Sequence, residues 1–146
     1  MHSNLFPARR SLILVVRAQM KNILFILLVM STAALAGGSA VPVKIGSIPD
    51  MDACLSLGVV SGLQHSVLSV RSGPSTTTAK IDSLHNGQSL WLCDSSSDGK
   101  WHGVIYVHGK DTPECGLSSP VSSEKPYTGL CKSGWVHKTW VKVIAG

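Results

Sequence analysis

Short apolar segments separated by frequent turn signals are the feature that most constrains the fold of this chain. From Cys54 onward, turn residues recur about every ten residues, as in Gly73-Pro74 and Asn86-Gly87. Segments of this length and spacing are typical of a small all-β sandwich or barrel. No segment has a helical period long enough to predict an α-helix. We therefore predict an all-β domain of about five to seven strands over residues 54–146.

Alternation of apolar and polar residues assigns side chains to faces of the predicted strands. In "VLSVR" the pattern places Leu68 and Val70 inward. Three further segments alternate in the same way, with one face formed by Leu55, Leu57 and Val59, by Leu90 and Leu92, and by Trp101, Gly103, Ile105 and Val107. In the second of these, Trp91 and Cys93 are expected on the face opposite the leucines.

Residues 1–36 have the composition of a targeting segment. Lys21 precedes an unbroken apolar run from Ile23 to Met30, and the small residues of Ala34-Leu35-Ala36 suit a cleavage site. We predict a secretory signal peptide, with Met20 favoured as the true start over a long basic region that begins at Met1. The apolar run is shorter than the roughly 20 residues of a membrane span. We expect no span in the mature protein, which would be periplasmic or extracellular.

Small residues and two prolines dominate the stretch that follows. "GGSAVPVKIGSIPD" contains no sustained periodicity. Residues 37–53 are therefore expected to be a flexible linker between the leader and the domain.

The positive charge of the chain belongs to the leader. The formal net charge is +5, with 13 basic and 8 acidic residues, and Arg9, Arg10, Arg17 and Lys21 all precede residue 37. Without these four, nine basic residues face eight acidic ones, a net charge of about +1. No basic stripe with interleaved aromatic residues is present, so we expect no nucleic-acid partner.

Four cysteines in an exported chain predict two disulfides. Three pairings are possible. The segment between Val107 and Gly134 is long and rich in Gly, Pro and Ser, and bridging Cys115 to Cys131 would pin its ends. Cys54 would then pair with Cys93. Zinc is the competing interpretation, but no two cysteines are spaced as a zinc knuckle and no H-x-x-x-H sequence occurs, so no metal is expected.

The stretch "LSVRSGPS", Leu68–Ser75, is a strand that must end where Gly73 allows a positive φ and Pro74 fixes the next one. Arg71 has two interpretations here. Its guanidinium could bind a carboxylate of a peptide or of a cell-wall stem peptide. Alternatively, it bonds loop carbonyls or Asp82 and holds the turn.

Four segments in order, "LSVRSGPS", "LHNGQSLWLC", "GKWHGV" and "SGWVHKTWV", resemble the bacterial SH3 domain, an SH3-like barrel of exported bacterial proteins. The resemblance covers about Leu55 to Val143. It implies a small, partly open barrel of five to seven strands, in which Trp101 and Trp135 match the two tryptophans of the family. The long, disulfide-stapled loop insertion before Gly134 departs from the family pattern.

Arginine and aromatic residues are the candidates for ligand binding. Small barrels fill their interior with bulky side chains, so some aromatic residues must belong to the core. Trp91 lies opposite Leu90 and Leu92 and is the best candidate for an exposed stacking surface. The candidate ligand-binding residues are Arg71, Trp91, Trp101, Tyr106 and Trp135.

Catalysis is not expected. A cysteine–histidine hydrolase needs a free thiol, whereas all four cysteines are assigned to disulfides, and no G-x-S-x-G elbow occurs. We therefore expect an exported, non-catalytic SH3-like binding module without a cofactor, which recognises cell-wall peptide, peptidoglycan or another extended peptide. The alternative is a disulfide-stapled structural or inhibitor-like envelope protein that docks a protein partner through residues 108–133.

Overall fold

The computed structural model describes residues 37–109 and 114–146, so the expected signal peptide lies outside the described residues. Nine β-strands and one turn of 3₁₀ helix, Lys138–Trp140, are found in them. The strands are β1 Lys44–Ile45, β2 Ser56–Val60, β3 Leu68–Arg71, β4 Lys80–Leu84, β5 Ser89–Ser95, β6 Trp101–Tyr106, β7 Lys125–Pro126, β8 Lys132–His137 and β9 Val141–Ala145. Within these two ranges, no helix is long and apolar enough to cross a membrane.

Seven of these strands form one antiparallel sheet in the order β4-β3-β8-β6-β5-β2-β9, and β1 pairs with β7 in a separate two-stranded sheet. The edge strands β4 and β9 do not pair with each other, so the large sheet is not closed into a barrel. The prediction of an all-β fold with a disulfide-stapled insertion is confirmed.

One face of the large sheet covers the larger hydrophobic core, called the first core below. It comprises Val60, Leu63, Leu68, Val70, Leu84, Leu90, Leu92, Val104, Tyr106 and Val136. Leu68 and Val70 point inward as predicted, and Leu90 and Leu92 share this face. The alternating pattern therefore located the core side of β3 and β5 correctly.

The predicted phase of β2 needs correction. Leu57 and Val59 are only half-buried and Leu55 is exposed, whereas Gly58 and Val60 are buried. A Cβ at Gly58 would lie 2.8 Å from Cγ1 of Val141, so the core side of this strand has room only for glycine at that position. Because Gly58 faces the core without a side chain, the alternating apolar residues Leu57 and Val59 lie on the other face of the strand.

The opposite face of the sheet carries a second core. Its buried members are Val43, Ile45, Ala53, Cys54, Cys93, Trp101, Ile105, Leu117 and Trp135. Strands β5, β6 and β8 contribute to both cores, which explains why their alternating faces are both apolar.

Residues 37–53, called the arm below, are not the separate linker that the sequence predicts. The arm belongs to the compact unit Ala36–Gly146. Its strand β1 pairs with β7, and its backbone donates from Val41 N–H to the carbonyl of Ser72 at 2.7 Å. Val43 and Ile45 enter the second core. Two inward residues, Val43 just before β1 and Ile45 within it, are too short a pattern for sequence periodicity to detect.

Both disulfides have the pairing expected from the sequence, Cys54–Cys93 and Cys115–Cys131. The second one staples the segment 108–133, called the insertion below. Leu117 of the insertion is buried in the second core, and its carbonyl accepts a hydrogen bond from Ala53 N–H at 3.2 Å. The insertion and the arm therefore pack on the same face of the sheet and bond to each other.

Two neighbouring valines of the arm give a matched test of this packing. Val43 is 2% exposed and Val41 is 41% exposed. We expect Val43→Ala to lower the free energy of unfolding by about 1–3 kcal/mol, because it removes buried methyl groups and leaves a cavity. Val41→Ala should change it by no more than about 0.5 kcal/mol. Urea unfolding followed by tryptophan fluorescence measures both, and equal small effects would contradict a packed arm.

Candidate functional site

A groove of about 420 Å³ opens beside β3 and the 3₁₀ helix, and we call it the Arg71 groove. Its apolar lining comes from Leu63, Val67 and Leu68. Its polar and aromatic lining comes from Ser66, Ser69, Arg71, Thr76, Trp101, His137 and Trp140. A volume of roughly 300–1,000 Å³ with a mainly apolar lining and a few polar groups is typical of ligand sites.

Arg71 is held at the groove by the loop that follows it. Its Nη1 donates a hydrogen bond to the carbonyl of Thr78 at 2.7 Å. The loop is itself closed by the Thr78 hydroxyl, which lies 2.8 Å from the carbonyl oxygens of both Gly73 and Ser75 and shares its single O–H between them. Among the described residues, Arg71 forms no ion pair with a carboxylate. The structure therefore contains the predicted bond from Arg71 to a loop carbonyl, and Asp82 is not a partner of Arg71.

Two cross-strand neighbours form the aromatic wall of the groove. Trp101 begins β6, His137 ends β8, and their Cα atoms are directly paired. Their rings meet edge to face, with centroids 5.4 Å apart and planes at 78°. His137 also caps the 3₁₀ helix, since its Nδ1 accepts from Thr139 N–H at 3.4 Å. The imidazole thus fixes both the tryptophan and the helix.

Trp140 ends the 3₁₀ helix and is the most exposed tryptophan of the groove, at 38%, against 7% for Trp101. Its carbonyl accepts a hydrogen bond from Ser61 N–H at 3.0 Å, which anchors the backbone beneath the ring. A Cβ at Gly62 would touch the ring of Trp140 at 3.6 Å. The indole therefore lies over a glycine, with part of its surface open to solvent.

The five candidates from the sequence separate into different environments. Arg71 and Trp101 both line the groove. Tyr106 is buried in the first core, and Trp135 is buried in the second, where its Nε1 donates to the carbonyl of Val41 at 2.7 Å. Trp91, expected to be exposed, is half-buried and packs against the second core.

Sequence reasoning missed His137 and Trp140 as groove residues. Both lie in "GWVHKTWV", where the strand period breaks off into three residues of 3₁₀ helix. The polar pair Lys138-Thr139 was the one sequence feature that could have located Trp140, because it indicates a turn rather than a continuous strand.

A second group of polar side chains surrounds Asp82 in β4. Its Oδ2 accepts from Lys132 Nζ at 2.8 Å and from Tyr106 OH at 3.0 Å, and it lies 3.1 Å from His108 Nε2. Burial opposes ionisation of Asp82, but hydrogen bonds from Lys132, Ser83 N–H and Tyr106 outweigh it and hold its pKa well below the usual range. The pKa of Tyr106 is raised, mainly because the hydroxyl is buried and also because it donates a hydrogen bond to the negatively charged Asp82.

The position of the Asp82 group indicates a structural role. His108 and Lys132 stand at the two ends of the insertion, on either side of the segment that Cys115–Cys131 staples. Asp82 therefore ties both ends of the insertion to β4. Its charge is compensated within the fold.

Another groove, of about 440 Å³, includes Asp94, Ser95 and His102 in its lining. Oδ2 of Asp94 accepts from the backbone N–H of Lys44 at 3.0 Å, so this carboxylate anchors the arm. Burial lowers the pKa of His102, and the charge of Lys138 adds to the effect. In residues 37–109 and 114–146, no three His, Cys, Asp or Glu side chains are grouped to hold a metal ion.

Comparison with known proteins adds no relative to this description. No protein-family model, curated protein or solved structure matches the chain. The resemblance to the bacterial SH3 domain stays a prediction from the four sequence motifs. The function must therefore be inferred from the geometry of the Arg71 groove.

The Asp82 group gives a prediction about acid stability. An ionised aspartate has a pKa near 3.9 in unfolded chains, and the folded value is lower. Its contribution is thus complete above about pH 4 and is lost as the pH falls through the folded value. We expect Asp82→Asn to lower the free energy of unfolding at pH 7 by about 1–3 kcal/mol.

The same variant should flatten the decline of stability between about pH 4 and pH 2. Asp52→Asn, at an exposed position, serves as the control and should follow the wild type. Urea unfolding at several pH values measures the curves. Parallel curves for wild type and Asp82→Asn would show that Asp82 does not contribute.

Proposed function

We propose that this protein is an exported, non-catalytic SH3-like binding module whose Arg71 groove recognises an extended peptide, with the peptide of the cell wall as the leading candidate. The observation that carries the proposal is the meeting of Arg71, Trp101 and Trp140 around one groove. A guanidinium and two indoles that line one groove combine an orienting polar group with apolar contact area, as peptide-binding grooves do.

The chemistry of the lining suits an extended chain. Leu63, Val67 and Leu68 offer apolar contacts. The hydroxyls of Ser69 and Thr76 can donate to or accept from a peptide backbone, whereas the Ser66 hydroxyl, which donates to the Leu63 carbonyl, can accept. An extended peptide exposes backbone amides and alternating side chains along its length. Apolar and hydrogen-bonding groups therefore have partners at several points of the groove.

The proposed location and the absence of catalysis have separate support. Two disulfides are compatible with an oxidising compartment outside the cytoplasm. Every cysteine is bonded, so no thiol is available as a nucleophile. The proposal of a periplasmic or extracellular module also uses the leader pattern of residues 1–36.

Binding to purified peptidoglycan sacculi tests the proposal. The disulfide-bonded protein should sediment with sacculi, and Trp140→Ala should reduce the affinity at least about tenfold, as expected for loss of an aromatic anchor. Ile144→Ala is the control, because Ile144 is similarly exposed, at 51%, and lies outside the groove lining. Thermal unfolding confirms that both variants fold. Absence of wild-type binding, or unchanged binding by Trp140→Ala, would refute recognition of wall peptide in this groove.

A second candidate function is docking of an envelope protein through the insertion. Leu130 is fully exposed and precedes Cys131, which is bonded to Cys115. The Tyr127 hydroxyl accepts from Cys131 N–H at 3.1 Å and donates to the Cys115 carbonyl at 3.3 Å. A leucine held in water by a stapled and hydrogen-bonded turn is placed to enter an apolar pocket of a partner.

The two candidate functions predict opposite effects of two substitutions. Leu130→Ser should leave sacculus binding and stability unchanged if the groove is the binding site, because an exposed side chain contributes within about 0.5 kcal/mol to folding. If docking through the insertion is the function, Leu130→Ser should abolish cross-linking to envelope proteins, whereas Trp140→Ala should not. Cross-linking of wild type and both variants in an envelope fraction distinguishes the two.

A further inference from the structure

The Arg71 groove contains positive charge with no negative charge to balance it. None of its lining residues is acidic, and Arg71 is the side chain that carries its positive charge. The ion pairs among residues 37–109 and 114–146 use Asp82, Asp98 and Glu124, with partners elsewhere. A ligand that complements the groove therefore supplies the missing negative charge.

Arg71 is prepared to bind an anion. A guanidinium has five N–H donors in a rigid fork, and the fold uses the bond from Nη1 to the Thr78 carbonyl to hold it. The residue is half-buried, which reduces the screening of its charge by water. Because one bond already orients the side chain, less conformational entropy is lost when a ligand binds. A planar carboxylate can accept two parallel bonds from such a fork.

The rest of the lining restricts which anion fits. Leu63, Val67 and Leu68 and two indole rings lie in the same groove. A phosphate-bearing polymer is hydrated and charged along its length and would leave this apolar surface without partners. A single guanidinium beside apolar surface instead suits one carboxylate attached to an otherwise uncharged segment.

Arg71 is followed directly by a loop that forms part of the groove lining. The loop 72–79 folds back over the end of β3, since Ser72 N–H bonds to the Ala79 carbonyl at 2.9 Å. Thr76 of this loop lines the groove, and Thr78 bonds Arg71. A carboxylate bound by Arg71 beside this loop therefore suits the end of a peptide ligand better than its middle.

We propose that the Arg71 groove binds the C-terminal carboxylate of an extended peptide, with Arg71 on the carboxylate and the preceding residues on Trp101 and Trp140. The inference rests on the proposed function, because it specifies which part of a peptide the groove recognises. His137, bonded to the helix and packed on Trp101, positions the aromatic wall.

The test compares synthetic peptides on the wild-type protein with its disulfides formed. The probes are acetyl-Ala-Leu-Ala-Ala as the free acid, the same peptide as the C-terminal amide, and the amide of acetyl-Ala-Glu-Ala-Ala. Calorimetry and tryptophan fluorescence measure binding. We expect the amide to bind at least about tenfold more weakly than the acid, and the internal glutamate not to restore affinity.

Substitutions at Arg71 then assign the contact. Arg71→Gln should weaken binding of the acid far more than binding of the amide, so that the difference in affinity between the two peptides disappears. Arg71→Lys should recover only part of the affinity, since lysine keeps the charge but lacks the planar fork. Should either variant fail to fold, the acid and amide comparison on the wild type still decides the inference.

Each remaining outcome overturns a distinct statement. Equal binding of acid and amide would refute carboxylate recognition and leave peptide binding intact. Equal binding of the free acid and the glutamate peptide would refute the C-terminal assignment. Failure of all three peptides refutes the inference, and failure of sacculi to bind as well refutes the proposed function. Binding of inorganic phosphate without any peptide would assign the groove to a phosphate-bearing ligand instead.

Discussion

The structure depends on covering the second face of its central sheet. Strands β5, β6 and β8 carry apolar side chains on both faces, so the seven-stranded sheet and its first core would leave residues such as Ile105 and Trp135 in water. Exposing one large apolar side chain costs about 1.5–3 kcal/mol, comparable to a large part of the stability of a small domain. The arm and the insertion supply the cover, and each is attached to the other by β1–β7 pairing.

The arm and the insertion cover only part of the second face of the sheet, and the Arg71 groove lies at the edge of the covered part. Trp135 lies under the arm, with its indole N–H bonded to the Val41 carbonyl. Trp101 is a member of the second core and also lines the Arg71 groove, so it stands at the boundary. Trp140, beyond that boundary, keeps part of its ring exposed. Trp135 is buried, Trp101 lies at the edge of the cover and Trp140 is partly exposed, because the arm and the insertion extend only that far across the sheet.

Local pattern predicted the strands well and the exposure of aromatic residues poorly. Strand periodicity depends on neighbours in sequence, and it placed Leu68, Val70 and the faces of β5 correctly. It failed in β2, where the core side is occupied by Gly58. Burial of Trp135 depends on Val41, 94 residues away, and no local signal reports a contact of that separation. Trp140 sits in a single helical turn, too short to have a period.

The structural bond of Arg71 is compatible with the binding role proposed for it. Its bond to the Thr78 carbonyl belongs to the fold, whereas the loop itself is closed independently through the Thr78 hydroxyl. A ligand carboxylate can therefore engage the other donors of the guanidinium without opening the loop. The structural bond holds the fork in place before a ligand arrives, which lowers the entropic cost of recognition. The proposed binding role therefore requires no change in the structural one, because the bond to Thr78 uses a single donor of the guanidinium.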